Sequence, residues 1–240
     1  MKTVKLRGLV LKEFEAGEAD KRLLLLCKGR GRVMVYARGA RKPRSKFMAA
    51  AQIFTYADFI LSQGRGFYSL SQADVIESFY NLRTDYDRLL AAHAIVDVCD
   101  KTVLEDSDCD VLLQLTLKSL ANLAKGNFPP VQISAVFLLR FFDFYGLRPH
   151  SDECAVCDLP AGEMGGRFFW GHEGLLCLRH GSGIAISPAA ARAISFILTE
   201  DLPISFQFDA HDDVIAELEK AAQLLWRFHF DSVKTIPTSR

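Results

Sequence analysis

Two short ligand pairs constrain this chain more than any other feature. Cys154-Ala-Val-Cys157 stands nineteen residues ahead of Cys177-Leu-Arg-His180. Ligands two residues apart fit one tight turn, and two such turns complete a tetrahedral metal site. Gly162, Gly165, Gly166, Gly171 and Gly174 surround a strand-like run, Arg167–Trp170, as in a zinc ribbon. The spacing predicts a structural zinc held by Cys154, Cys157, Cys177 and His180, in a module spanning residues 150–183. His150 and His172 are rival fourth ligands; His180 is preferred because it keeps the two-residue spacing from Cys177. Cys27, Cys99 and Cys109 are isolated in apolar or helical patterns, so no disulfide framework is expected.

A catalytic zinc would need an open coordination position and a nearby general base. His172-Glu173 resembles a nucleobase deaminase only superficially: the order is reversed and no proline precedes Cys154. No G-x-x-x-x-G-K-[ST], H-E-x-x-H or G-x-S-x-G occurs, and Gly29-Arg-Gly31 and Gly64-Arg-Gly66 read as hairpin turns. The expectation is a protein that is not an enzyme.

The net charge of zero conceals a division. Residues 1–46 hold fourteen Lys and Arg against four acidic residues, a segment charge of +10 that leaves the other 194 residues at −10. Such segregation suggests a polyanion-binding module on a more acidic body. No stretch approaches the roughly 20 apolar residues that span a bilayer. The N-terminus lacks the apolar core of a signal peptide. The expected location is the cytoplasm, associated with the nucleoid, with no membrane partner.

Residues 1–75 read as five short strands. Val4, Leu6, Leu9 and Leu11 alternate with charges and change phase near Gly8, where a bulge is expected. Arg22–Cys27, Arg32–Ala37, Ile53–Leu61 and Phe67–Val75 follow, separated by glycine turns. Five such strands suit a small closed antiparallel barrel, either OB-like or SH3-like by periodicity alone. From residue 81 the period becomes helical. Helices are expected from Leu82 to Val103, from Asp108-Cys109-Asp110 to Ala124, and from Pro129-Pro130 to Tyr145. A fourth starts at Ser187-Pro188 and a fifth at Asp212 or Asp213. The domains expected are a barrel over 1–80, a first helical part over 81–149, the zinc module over 150–183 and closing helices over 184–240.

The densest basic stretch, Ala37–Phe47, places Arg38, Arg41, Lys42, Arg44 and Lys46 between the third and fourth strands. Glycine, alanine and proline between them suit a loop that follows a phosphate backbone. Together with Arg22 and Arg32 on the preceding strands, these are the candidate nucleic-acid contacts. Tyr36, Phe47, Phe54, Tyr56 and Tyr68 lie nearby as aromatics for stacking on bases, although half-buried strands use most such residues for packing.

At these residues the chain resembles the bacterial RecO family. The matching pattern is Glu18-Ala-Asp20, Gly29-Arg-Gly31-Arg-Val33, Ala37-Arg-Gly39-Ala-Arg41 and Ser45-Lys-Phe47, then a helical middle, the inserted Cys-x-x-Cys module and closing helices. The family commonly carries four cysteines where His180 here takes the fourth place. The resemblance implies an α+β protein: an N-terminal OB-fold β-barrel followed by an α-helical domain with an inserted zinc-ribbon module. It further implies binding of single- and double-stranded DNA, annealing of complementary strands, and loading of RecA, with RecR, on DNA coated by single-stranded-DNA-binding protein (SSB). The helical body would receive the acidic, phenylalanine-ended C-terminal tail of SSB, with Arg140 and Arg148 as candidate contacts. An RNA-binding or transcription-associated zinc-ribbon protein is the alternative reading of the same elements.

Overall fold

The computed structural model describes residues 2–64 and 66–230. Arg65, in the expected fourth hairpin turn, and the last ten residues of the expected closing segment lie outside the described residues. Five strands form the first half: β1 (Lys2–Ala16), β2 (Asp20–Cys27), β3 (Gly31–Ala37), β4 (Tyr56–Gln63) and β5 (Tyr68–Glu77). They close into a barrel in the order β1-β2-β3-β5-β4, with β1 returning to β4 and β3 running parallel to β5. That is the OB-fold, which settles the choice that periodicity left open against an SH3-like barrel.

β1 is long because it serves two partners. Residues 2–9 pair with β4 and residues 8–16 with β2. The irregularity falls between Val10 and Lys12, not at Gly8 where the phase of the sequence changes. Gly8 answers a different need: a Cβ there would lie 2.7 Å from the Leu26 carbonyl oxygen and 2.9 Å from Cys27 Sγ. β4 starts at Tyr56 and not at Ile53. Phe54 has φ 68°, outside the extended region, and the Thr55 hydroxyl donates back to the Ala49 carbonyl.

Alternation builds the barrel core. Leu23, Leu25 and Cys27 of β2 meet Val33, Val35 and Ala37 of β3, with Leu6, Val10, Phe59 and Leu61. Phe47, Ala50 and Ala51 of the β3–β4 connection join the same core. Leu9, Leu11, Leu24 and Leu26 are also buried, yet stand outside that cluster. A run of four apolar residues such as Leu23–Leu26 therefore reads as a strand covered on both faces.

Three helices and a ribbon complete the described chain with two more helices: α1 (Tyr86–Thr102), α2 (Asp110–Lys125), α3 (Pro130–Phe144), β6 (Phe168–Gly171), β7 (Gly174–Leu176), β8 (Ile184–Ile186), α4 (Pro188–Thr199) and α5 (Asp212–Phe230). The first helix begins at Tyr86 because residues Tyr80–Thr84 form a 3₁₀ turn. Two compact units divide the chain. One takes residues up to Tyr86 with Ile95–Ala124; the other takes Asp87–Ala94 with the residues from Lys125 onward.

In the first unit, residues 97–110 lie against the second face of β1–β3. The Cys109 thiol donates to the Cys27 carbonyl at 3.3 Å, the Arg32 amide to the Leu104 carbonyl at 3.2 Å, and the Gly29 amide to Asp110 at 2.7 Å. In the second unit α3 packs against α4 and α5. Phe141 contacts Trp226 and Phe230 with ring centroids 5.8 and 5.6 Å apart. Ser187 caps α4 by accepting from the Ala190 amide at 3.1 Å. No helix of the described chain is long and apolar enough to cross a membrane.

Candidate metal centre and nucleic-acid interface

The ribbon is built from two knuckles beside a three-stranded sheet in the order β7-β6-β8. In the first knuckle the Asp158 amide donates to the Cys154 carbonyl at 2.9 Å and the Cys154 amide to the Leu159 carbonyl at 2.8 Å, with Asp158 at φ 56°. In the second, Leu178–His180 make one 3₁₀ turn closed by the His180 amide on the Cys177 carbonyl at 3.0 Å. The Ala155 amide donates to the Leu175 carbonyl at 2.8 Å, which ties one knuckle to the strand leading into the other. Gly174, at φ 118°, passes so close to His150 that a Cβ would meet its carbonyl oxygen at 2.2 Å.

This folding brings together Cys154, Cys157, Cys177 and His180, whose ligand atoms all lie within 4.8 Å of one another. Cys177 Sγ stands 3.4 Å and Cys154 Sγ 3.6 Å from His180 Nδ1, and Cys157 Sγ stands 3.9 Å from Cys177 Sγ. Tetrahedral zinc, with bonds of about 2.3 Å to sulfur and 2.0–2.1 Å to nitrogen, places its ligand atoms about 3.6–3.8 Å apart. The four side chains fit such an ion. Burial pushes the Cys154 thiol up, but amides of Cys177, Val156 and Cys157 and the His180 ring outweigh it and bring the thiol down to about 6. Thiolate is the form a metal takes. By contrast, burial pushes Cys27 and Cys99 up to about 12, as suits thiols that serve only as packing.

The rival histidines point elsewhere. His150 Nδ1 is 3.4 Å from Glu153, and His172 stacks on Phe228 with centroids 4.0 Å apart. Asp152, next to the first knuckle, accepts from the Ser195 hydroxyl of α4 at 2.6 Å, so the ribbon is anchored to the helices of its own unit.

The barrel cations separate into three kinds. Arg32 donates to both the backbone carbonyl and the carboxylate of Asp100. Lys12 stands 2.8 Å from Asp97 and 2.7 Å from Asp100. Burial alone would lower the Lys12 ammonium, but those two carboxylates raise it above the ordinary lysine range. Arg41 and Lys46 are engaged at the surface: Arg41 is 3.1 Å from Glu15 and donates to the Gly17 carbonyl, and Lys46 donates to the Ser71 carbonyl at 2.9 Å. Arg38, Lys42 and Arg44 are exposed and have no carboxylate partner among the described residues. Arg22 is exposed on β2, its guanidinium 5.8 Å from the Phe14 ring centroid.

Asp97 and Asp100 are what the sequence reading did not use. They sit one helical turn apart on α1, and an i, i+3 acidic pair facing a basic strand was the available signal. Of the stacking candidates, Phe47 and Phe54 are buried, while Tyr36, Tyr56 and Tyr68 are half-buried.

Arg140 and Arg148 both reach Asp143, at 3.5 and 3.4 Å. Arg140 also donates to the Leu198 and Glu200 carbonyls at the end of α4. Its side chain is 13% exposed against 45% for Arg148, so Arg140 is mainly a C-terminal cap for α4.

Residues 1–79 match the family described as Recombination protein O N terminal, and residues 83–234 the one described as Recombination protein O C terminal. The DNA repair protein RecO of Acetivibrio thermocellus is 34% identical over 227 residues, covering 93% of this chain and 90% of the relative. That of Alkaliphilus metalliredigens is 28% identical over 234 residues, covering 96% and 95%. That of Desulforamulus reducens is 36% identical over 177 residues, covering 74% and 68%.

Proposed function

The chain belongs to the RecO family of DNA repair proteins, and from that membership we propose that it works as a non-enzymatic mediator of repair and recombination. It binds single- and double-stranded DNA, anneals complementary strands and, with RecR, helps load RecA on SSB-coated DNA. The observation that carries this reading is the cationic connection after β3. Arg38, Lys42 and Arg44 project from an OB barrel without carboxylate partners among the described residues, while acids of α1 hold Lys12 and Arg32. Uncompensated cations on one segment screen the repulsion between two phosphate backbones, which is what annealing requires. Arg22 extends the surface onto β2, Lys46 joins it by releasing the Ser71 carbonyl, and Arg41 borders it while keeping Glu15. Arg32 ties the outward face of β3 to Asp100 of α1.

The metal is zinc in a structural role, with Cys154, Cys157, Cys177 and His180 as a closed set of four. When bound, it cross-links two knuckles that carry too few apolar residues to hold themselves. The acidic, phenylalanine-ended tail of SSB binds the second unit, with exposed Arg148 as the cation for its carboxylate. The protein acts in the cytoplasm, at the nucleoid. Annealing of complementary oligonucleotides without nucleotide tests the reading. Acceleration that is lost in a chain with Arg38, Lys42 and Arg44 changed to alanine supports it; selective affinity for structured RNA, with no annealing of DNA, would replace it.

A further inference from the structure

The outward face of β1, β2 and β3 has two halves. Toward the β2–β3 turn it carries Lys12 opposite Leu24, Leu24 opposite Met34, and Leu26 opposite Arg32. There Asp97 and Asp100 neutralise the cations. Toward the β1–β2 turn the next row is Phe14 opposite Arg22 and Arg22 opposite Tyr36. Opposed side chains on one face lie about 5 Å apart at Cβ, so these three form a continuous strip. Phe14 is 39% exposed, Arg22 is exposed and Tyr36 is half-buried.

One exposed phenylalanine is ordinary on a protein surface. The setting of this one is not. Phe14 also lines a cleft of about 390 Å³ with Ala40, Met48 and Gln52, and Lys42 stands in its wall. Glu13 and Glu15 border the same cleft, but Lys21 at 2.6 Å and Arg41 at 3.1 Å neutralise them. The result is a mostly polar cleft whose apolar part is Phe14, Ala40 and Met48, beside a strip of two aromatic rings and a guanidinium. Beyond Tyr36 the chain passes directly into Arg38, Lys42 and Arg44.

We propose that the Phe14–Arg22–Tyr36 strip and its cleft form a stacking site for unpaired nucleobases, with the phosphates of that strand running along Arg38, Lys42 and Arg44. The proposal rests on the reading of the barrel as a DNA-binding module and narrows its substrate at this site to single strands. Aromatic rings and guanidinium planes stack on any exposed base, whatever the sequence. Bases in a duplex have both faces covered by their neighbours and do not reach the strip.

The test uses the full chain and an oligonucleotide carrying 2-aminopurine, whose fluorescence falls on stacking. Phe14→Ala and Phe14→Leu, the second retaining apolar bulk without a π face, should each weaken single-strand binding by about 5- to 150-fold. Their salt dependence, duplex affinity and melting temperature should stay near those of the parent, and Phe14→Tyr should keep most of the affinity. Quenching seen with the parent should be lost in both variants. Variants that bind and quench like the parent would overturn the stacking site while leaving the DNA-binding reading intact. Equal losses on single strands and duplex would also overturn it. A parent chain that binds neither form of DNA would overturn the broader reading and this one with it.

Discussion

Replacing Arg38, Lys42 and Arg44 together by alanine separates the cations proposed to face DNA from those that hold the barrel strands to α1. Each phosphate contact contributes about −0.7 to the log–log salt slope on single strands and about −0.9 on duplex. All five cations of the connection, Arg38 to Lys46, would account for about 3.5 units on single strands. Three have no carboxylate partner among the described residues, so the triple variant should flatten the slope by about 2 units on single strands and about 3 on duplex. Arg41→Ala with Lys46→Ala should change it less, since these side chains already serve Glu15 and two backbone carbonyls. Arg32→Ala is the internal control. It removes the two acceptors on Asp100 from their donor and should destabilise the first unit by about 1–2 kcal/mol with no change in slope. Fluorescence anisotropy across a salt series, with a thermal melt of each variant, reads both quantities. A triple variant that melts normally and keeps the parent slope would refute the assignment. So would an Arg32 variant whose slope changes as much as that of a loop cation.

Three other outcomes are expected. Purified protein should hold about one zinc, and X-ray absorption should find three sulfurs and one nitrogen with no coordinated water; Cys154→Ser or Cys177→Ser should lower metal content and melting temperature together. Arg7 and Lys5 hold the Asp58 carboxyl well below the ordinary carboxylate range, first through their hydrogen bonds and then through their charges. Its stabilising effect is therefore full above the unfolded-state value near pH 4 and fades as pH falls below it, so Asp58→Asn should flatten that acid limb in stability measured against pH. Arg140→Ala should cost about 2 kcal/mol by uncapping α4, seen as a lower melting temperature, whereas Arg148→Ala should leave stability nearly unchanged and weaken binding of an acidic, phenylalanine-ended peptide, measured by calorimetry.

The clustering of Cys154, Cys157, Cys177 and His180 was legible in the sequence because a knuckle is local. Cys154 and Cys157, like Cys177 and His180, lie within one turn, and their spacing determines which atoms can reach one ion. The five strands, the helix start at Pro130, the cap at Ser187 and the basic connection were legible for the same reason: alternation, helix-start chemistry and charge density are properties of neighbours along the chain. The start of β4 moved from Ile53 to Tyr56 and that of the first helix from Leu82 to Tyr86 where backbone conformation intervened, at Phe54 and in the 3₁₀ turn before α1. Other strand ends shifted by one or two residues. Barrel closure is different. That β1 returns to β4 and β3 runs beside β5 depends on pairings dozens of residues apart, and OB-like and SH3-like barrels share the same alternation.

Charge shows the division most clearly. Composition alone established that residues 1–46 carry +10, and with it the expectation of a polyanion-binding module. It assigned equal weight to Arg22, Arg32, Arg38, Arg41, Lys42, Arg44 and Lys46, because a sequence counts charges without their distances to one another. Only the tertiary structure sets Asp100 2.9 Å from Arg32 and leaves Arg38, Lys42 and Arg44 facing water. Coulomb energy depends on separation and on the solvent between charges. Chain order fixes neither of these, and the fold fixes both.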